Sequence, residues 1–318
     1  MKSSSRLRCM RTLAACAALL FGGSAHAQAL EVATSFSILG DLVAQVGGER
    51  VKVRTLVGPD EDAHAFQPRP SDAREIGAAA LVVVNGLGFD DWMTRLARAG
   101  GFKGKVVVAS EGISTLEMTR NDGHGHDHGH DHDHGKDKGK AVDPHAWQDV
   151  ANVRRYVANI ATALAAADPE GADAYRAAAE RYDGELRALD AEIRAAFAAL
   201  PVERRKVVSS HAAFGYFGRA YDLHFLSPVG VANNAEPTAK GVARLIRQLK
   251  EEKVPAVFIE NVADPRLIER IRSESGAGVG GTLYSDALSK AEGPAPTYVD
   301  MMRANLATLQ RALVAPGR

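Results

Sequence analysis

Cysteine is almost absent from this chain. Only two cysteines occur among its 318 residues, Cys9 and Cys16, and both lie in the first 27 positions. Those positions are typical of an export signal, so we expect the exported protein to contain neither a disulfide nor a thiolate ligand. Any metal site in the exported protein must then use nitrogen and oxygen donors.

The amino-terminal segment has the three parts of a secretory signal. Basic residues at positions 2, 6, 8 and 11 precede the apolar run 13–21, and Ala25-His26-Ala27 forms a small-x-small cleavage site. Residues 1–27 are therefore predicted to be removed, with the mature protein released into the periplasm. The alternative is a lipoprotein cleavage box ending at Cys16, but only four residues separate Arg11 from Cys16, too few for the apolar stretch that such signals need.

A basic excess and a second long apolar run are also missing. The chain has 39 basic and 39 acidic residues, which become 35 and 39 without the four basic residues of the signal, so the mature net charge is near −4. No later apolar run approaches the roughly 20 residues of a membrane span. Without a basic excess, the chain lacks the positively charged surface that binds nucleic acid. Without a second long apolar run, it is predicted to be soluble and to lie outside the cytoplasmic membrane.

Short apolar runs alternate with amphipathic stretches along most of the chain, which is typical of α/β folds. Because about 290 mature residues exceed what one core usually organises, two α/β lobes are expected, at 28–171 and 201–318. The predicted strands are 30–34, 51–57, 81–85, 106–109, 207–210, 223–226, 256–260 and 278–284.

A long helical pattern lies between the two predicted lobes. Its apolar residues recur at steps of three, four or seven, and Pro201 ends it. The members of this stripe are Tyr175, Tyr182, Leu186, Leu189, Ile193, Phe197 and Leu200. The pattern predicts a single rigid helix over 172–200, roughly 40 Å long, that joins the lobes.

Histidine is concentrated in one tract. Six of the eleven histidines alternate with Gly and Asp between residues 123 and 135: His124, His126, His128, His130, His132 and His134. Imidazole is a common ligand for zinc, whereas Gly and Asp keep a segment solvated, so residues 121–140 are predicted to form a disordered insertion that binds metal weakly. The alternative is a low-complexity linker with accidental histidines. An unstructured tract cannot fix a coordination geometry, so a tight site must lie elsewhere.

Four histidines remain outside the signal and the tract. His64 lies in a loop between a predicted strand and a helix, His145 precedes a helix, and His211 follows a buried strand. Such positions present ligands in α/β folds. His224 alternates inside a predicted strand and is interpreted as structural.

Six short motifs occur along the mature chain. They are Gly58-Pro-Asp-x-x-x-His64, Asn85-Gly-Leu-Gly88, Asp143-Pro-His145-x-Trp147, Ser210-His211-x-x-Phe-x-Tyr216-Phe217, Phe258-Ile-Glu-Asn261 and Leu283-Tyr-Ser-Asp286. In this order they resemble the metal-specific solute-binding proteins of zinc and manganese ABC transporters, over essentially the whole mature chain. The resemblance implies that the metal ligands fall on His64, His145, His211 and Asp286. It also implies a metal buried in the cleft between the lobes, with two ligands from each.

Spacing alone does not select the acidic ligand. Glu236, Glu260 and Asp264 are also plausible acids, and for these three the favoured interpretation is a solvated carboxylate or one that supports a ligand. Only the resemblance singles out Asp286. Some zinc-binding relatives carry an acid immediately before the first ligand, where this chain has Ala63, which leaves Asp286 as the charge-balancing ligand.

The implied ligand set favours zinc over manganese. Manganese-specific members of the family commonly have an acid where this chain has His211, whereas three imidazoles and one carboxylate suit four-coordinate Zn²⁺. We therefore predict a monomeric periplasmic protein that binds Zn²⁺ tightly and delivers it to an inner-membrane ABC permease. A manganese-specific protein and a periplasmic zinc buffer or chaperone are the alternatives. A zinc hydrolase is disfavoured, because the chain has no His-Glu-x-x-His motif.

Overall fold

The first sheet of the protein consists of four parallel strands. A computed structural model describes residues 29–118, 141–231 and 237–314. The strands are β1 (Leu30–Phe36), β2 (Val51–Val57), β3 (Leu81–Val84) and β4 (Lys105–Val108), in the order β2-β1-β3-β4. The helices that connect them are α1 (Ser37–Gly47), α2 (Pro70–Gly77) and α3 (Asp91–Ala99). All four residues of β3 are buried, as is usual for a parallel strand that is covered on both faces.

The middle of the chain contains a short antiparallel pair and two long helices. The pair joins β5 (Glu117–Met118) to β6 (Ala141–Val142), which flank the predicted histidine insertion. The helices are α4 (Val150–Ala167) and α5 (Ala172–Ala198). Asp149 caps α4 by accepting a hydrogen bond from the backbone N–H of Ala151. The histidine tract itself lies outside the described residues.

The second sheet repeats the strand order of the first. Its strands are β7 (Lys206–Val208), β8 (His224–Leu226), β9 (Ala256–Glu260) and β10 (Gly278–Leu283), all parallel in the order β10-β9-β7-β8. The helices are α6 (Gly215–Tyr221), α7 (Ala239–Glu251), α8 (Pro265–Ser275) and α9 (Tyr298–Val314). In both sheets the first strand lies between the second and the third, so each sheet has a topological switch point where a crevice opens beyond the strand ends.

The predicted α/β fold with two lobes and one long helix is confirmed. Helix α5 has 27 residues and ends at Ala198, so Leu200 of the predicted stripe lies just beyond it. The buried face of α5 packs against α1, α4 and α9, within an apolar core that includes side chains from both sheets. The helix is therefore supported along its length by elements of both halves. Among the described residues, no helix is both long and apolar enough to cross a membrane.

Candidate metal centre

Four side chains from distant parts of the chain converge at one point. One donor atom each from His64, His145, His211 and Asp286 lies within 4.8 Å of the others. Nε2 of His64 is 3.4 Å from Nε2 of His145 and 3.4 Å from Oδ2 of Asp286. Oδ1 of Asp286 is 3.6 Å from Nε2 of His145, and Oδ2 is 3.1 Å from Nε2 of His211. These separations suit donors arranged around a single ion, since metal–ligand bonds of about 2.0 to 2.2 Å place neighbouring donors roughly 3 to 4 Å apart.

The ends of the strands bring these residues together. His64 lies between β2 and α2, His211 follows β7, and Asp286 lies three residues beyond the end of β10. His145 immediately precedes a short 3₁₀ helix, Ala146–Gln148, that leads into α4. Three of the proposed ligands thus follow strands of the two four-stranded sheets, whereas His145 lies at the start of the helical segment that leads into α4.

The centre is closed to solvent except at one histidine. The side chains of His145, His211 and Asp286 are fully buried, and that of His64 is 9% exposed. Ionised groups are costly to bury unless they are paired or coordinate a metal. The exposed edge of His64 is therefore the side of the centre that solvent can reach.

Carboxylates stand behind two of the imidazoles. Oδ1 of Asp143 lies 2.8 Å from Nδ1 of His145 and also accepts the backbone N–H of His145 at 2.9 Å. Oε2 of Glu260 lies 2.6 Å from Nδ1 of His211, while Oε1 accepts the backbone N–H of His211 at 2.9 Å. Asp143 thus holds the ring of His145 by a hydrogen bond, and Glu260 stands as an ion-pairing carboxylate behind His211. Carboxylates in such positions orient metal-bound histidines and raise their basicity.

Charge coupling inside the centre shifts two pKa values. Burial opposes a charge on His211, but the carboxylates of Glu260 and Asp286 outweigh burial and raise the pKa of this imidazole well above its ordinary value. Burial also disfavours a charged Asp286, yet the imidazoles of His211 and His145 lower the pKa of its carboxyl group. The two shifts both favour the charged forms, a protonated His211 and an ionised Asp286.

Aromatic side chains form one wall of the centre. The ring of Phe89 stands edge-on to His64, with centroids 4.7 Å apart, and Trp147 contacts His145 at 5.2 Å. Phe36 packs against both Phe89 and Trp147, each at 4.9 Å. This apolar wall excludes water and lowers the local dielectric, which strengthens the attraction between a cation and Asp286.

The donor set fits a divalent cation. Both carboxylate oxygens of Asp286 and Nε2 of His211 are buried, and none has a hydrogen bond of normal geometry to another described residue. Buried polar atoms rarely lack a hydrogen-bond partner in native proteins. Three imidazoles and one carboxylate can satisfy a divalent ion, and the ion would in turn satisfy these atoms.

The other residues singled out in the sequence have different places. Glu260 supports His211, whereas Asp264 lies at the surface, where it caps α8 and pairs with Arg266. His224 is exposed at the start of β8. Glu236 and the six tract histidines lie outside the described residues. Sequence reasoning missed Asp143, although its position in the Asp-Pro-His motif, two residues before His145, was a usable signal.

Comparison with known proteins places this geometry in a family. Residues 32–312 match the model of a family described as the periplasmic component A of a zinc-uptake complex, ZnuA. The manganese-binding lipoprotein MntA of Halalkalibacterium halodurans is 34% identical over 300 residues, which cover 94% of each chain. The periplasmic zinc-binding protein TroA of Treponema pallidum has a TM-score of 0.79 and 28% identity, over 90% of this chain and 99% of that one. A manganese-bound periplasmic metal-binding protein of Candidatus Liberibacter asiaticus has a TM-score of 0.76 and 27% identity, over 89% and 99% of the two chains.

Proposed function

Because the chain belongs to the ZnuA family of metal-binding solute-binding proteins, which are not enzymes, we propose that it captures a divalent metal ion and delivers it to an ABC permease in the inner membrane. His64, His145, His211 and Asp286 are the proposed ligands. The convergence of these four donors within 4.8 Å in a closed centre is the observation that carries the proposal. A catalytic metal usually keeps a position open for water, whereas this donor set can enclose its ion.

The chemistry of the donors supports zinc as the cargo. Three neutral imidazoles and one carboxylate form the nitrogen-rich, four-coordinate set that Zn²⁺ prefers, and a zinc-binding protein is among the relatives of similar fold. Sequence similarity instead favours manganese. The relative with 34% identity is named for manganese, and so is a solved structure of the same fold, which makes a manganese-specific protein the second candidate.

Because a nitrogen-donor site generally binds Zn²⁺ more tightly than Mn²⁺, the size of the difference in affinity, and not its sign, separates these candidates. The mature protein would be titrated with Zn²⁺ and with Mn²⁺ against chelators of known affinity. A zinc protein binds Zn²⁺ far more tightly than Mn²⁺ at one site per chain, apart from weaker ions on the tract. Tight binding of Mn²⁺ would instead establish the second candidate, with the same ligands.

Removal of individual ligands tests the site itself. We expect His64→Ala and His211→Ala to abolish tight binding of the cargo ion, because each removes one of four donors. His224→Ala is the matched control, since this histidine is exposed and is paired with the first residue of β7, whereas His211 follows the other end of that strand. Full affinity in both ligand variants would overturn the assignment.

Release follows from the sharing of ligands between the two halves of the chain. His64 and His145 precede α5, and His211 and Asp286 follow it, so a permease that displaces one half relative to the other spoils the coordination geometry. For capture, the imidazoles must release any bound protons and the ion must release its water. Metal affinity should therefore fall as the pH falls.

The histidine tract has a separate proposed role. It would collect zinc weakly and raise the local concentration of the ion near the main centre. Deletion of residues 123–135 should lower the total zinc stoichiometry and leave the tightest site intact. Loss of the tightest site in this deletion variant would contradict the separate roles of the tract and the main centre. A different experiment addresses transport: normal growth on limiting zinc after deletion of the whole gene would favour a zinc buffer over a transport protein.

The export of the protein is also a proposal, because the leader lies outside the described residues. Signal cleavage near Ala27 would release a soluble periplasmic protein. The relative that is 34% identical is a lipoprotein, which supports the alternative in which Cys16 carries a lipid. The mass of the mature protein purified from cells distinguishes a chain that begins near Gln28 from a lipidated chain that begins at Cys16.

A further inference from the structure

The backbone beside Asp286 is held by two side chains from the other half of the protein. The carbonyl oxygen of Ser285 accepts a hydrogen bond from Nε1 of Trp147 at 2.8 Å and another from Nε2 of Gln148 at 2.7 Å. Ser285, Trp147 and Gln148 are all fully buried. Both lone pairs of one peptide oxygen are thus used by neighbouring residues of the 3₁₀ helix that begins directly after His145.

A second pair of hydrogen bonds holds the chain on the other side of Asp286. The N–H of Leu288 donates to Oγ of Ser37 at 3.0 Å, and its carbonyl oxygen accepts the N–H of Asp60 at 2.9 Å. Ser37 and Asp60 follow β1 and β2 of the first sheet. The backbone is therefore fixed by residues of the amino-terminal half at Ser285, directly before Asp286, and at Leu288, two residues after it.

Among the described residues, the side chains that approach the carboxylate of Asp286 are the other proposed ligands, His64, His145 and His211. The two oxygens of this carboxylate accept no hydrogen bond of normal geometry from a described residue, and β10 ends at Leu283, before the segment turns toward the centre. The position of the carboxylate is consequently set through the backbone. The groups that fix Ser285 and Leu288 act together with Asn261 and Asn305 of the same half as Asp286, which hold the backbone of Ala287 and Tyr284. His145 contrasts with Asp286, because Asp143 holds both the ring and the N–H of His145.

We infer that Trp147 and Gln148 are positioning residues for metal capture, which hold the carboxylate of Asp286 against Nε2 of His145 through the Ser285 carbonyl. The inference rests on the proposed metal-binding function. Because one 3₁₀ helix follows His145 and also grips Ser285, these two ligands form a preorganised pair, although 141 positions of sequence separate them. The carboxylate then needs no reordering when the ion arrives, which favours tight binding.

The test removes the two donors and preserves side-chain bulk. Trp147→Phe eliminates Nε1–H but retains an aromatic ring, and Gln148→Met eliminates the amide but retains the length of the side chain. We expect each variant to bind zinc about 10- to 100-fold more weakly, and the double variant more weakly still, as is typical when partners that orient metal ligands are lost. Trp92→Phe is the matched control, because Nε1 of Trp92 is buried with no hydrogen-bond partner among the described residues.

A spectroscopic measurement separates positioning from general destabilisation. Co²⁺ bound in place of zinc reports coordination number and geometry through its visible absorption bands. We expect the bands of Trp147→Phe and Gln148→Met to shift and lose intensity relative to the parent protein, while Trp92→Phe leaves them unchanged. Thermal unfolding of the metal-free variants is measured alongside, and Gln148→Met alone suffices if the double variant does not fold.

The outcomes distinguish this inference from the proposed function. The positioning role is overturned if Gln148→Met and Trp147→Phe both retain the affinity and the cobalt bands of the parent protein. The metal site still stands in that case, provided that the parent protein binds zinc tightly and Asp286→Ala loses this binding. If the parent protein binds no divalent ion tightly, the proposed function fails first. If Asp286→Ala binds zinc as the parent does, Asp286 is not a ligand and the inference fails with that assignment.

Discussion

Replacement of Glu260 by glutamine is expected to change both the strength and the pH dependence of metal binding. Glu260 is buried at the end of β9, with Oε2 2.6 Å from Nδ1 of His211 and Oε1 on the backbone N–H of the same residue. Glu260→Gln keeps the size and the carbonyl acceptor of the side chain but removes its charge. The ring of His211 then loses the group that fixes its orientation and makes it basic.

The expected magnitude has two opposing parts. Loss of a carboxylate behind a metal-bound histidine weakens binding by about 10- to 100-fold, which corresponds to roughly 1.4 to 2.7 kcal/mol. Glu260 also raises the pKa of His211 in the metal-free protein, so its loss lowers that pKa and reduces competition from protons. Below the metal-free pKa, the affinity of a site that must release one proton falls about tenfold per pH unit. The affinity of the Glu260→Gln variant therefore begins to fall at a lower pH than the affinity of the parent protein.

The ratio of parent to variant affinity should therefore be largest at alkaline pH and shrink as the pH falls. Chelator competition at several pH values between about 5.5 and 9 measures this ratio, with Zn²⁺ as the probe. Asp264→Asn is the control, because Asp264 is an exposed helix cap that the sequence also offered as a ligand, and it should leave the affinity unchanged at every pH. A ratio that stays constant with pH, or the absence of any loss at alkaline pH, would refute the reasoning.

Three further predictions concern neighbouring features. A methyl group added at Gly215 would lie 2.5 Å from Oδ2 of Asp143, so Gly215→Ala should displace the support of His145 and weaken zinc binding by about tenfold or more in the same competition assay; unchanged affinity would count against a role for Asp143. Removal of the metal by a chelator should lower the unfolding temperature, because an ion at about 1,000 times its Kd stabilises the folded state by roughly 4 kcal/mol; equal calorimetric midpoints with and without zinc would be inconsistent with tight binding. Ile193→Ala should destabilise the metal-free protein by about 2 to 5 kcal/mol in urea unfolding, since Ile193 is fully buried on α5, and a loss below 1 kcal/mol would mean that this face is not a packed core.

The regular elements could be predicted because their hydrophobic patterns are local. The valine-rich run of β3 and the apolar stripe of α5 each reveal their period within a few residues. The pair β5 and β6 was missed because two-residue strands carry no periodicity. Helix α6, Gly215–Tyr221, was also missed, since seven residues with two glycines give no clear amphipathic pattern.

The centre could be predicted only in part, for a related reason. His64, His145 and His211 are few enough, and near enough to element ends, to be singled out from the residues themselves. Asp286 required a family resemblance, because acids are common and spacing did not separate it from Glu260. The support given by Glu260 and by Trp147 depends on contacts between residues that are far apart in sequence, and no local pattern contains that information.

The length of helix α5 relates a small rotation of the helix to the distance that its far end moves. Its 27 residues span about 40 Å, so a rotation of about 1.5° around one end moves the other end by about 1 Å. Coordination distances tolerate deviations of only about 0.2 Å, several times less than that displacement. If a permease rotated one half of the protein by this amount, the coordination distances would change by more than the site tolerates, so release of the ion would need only a small movement.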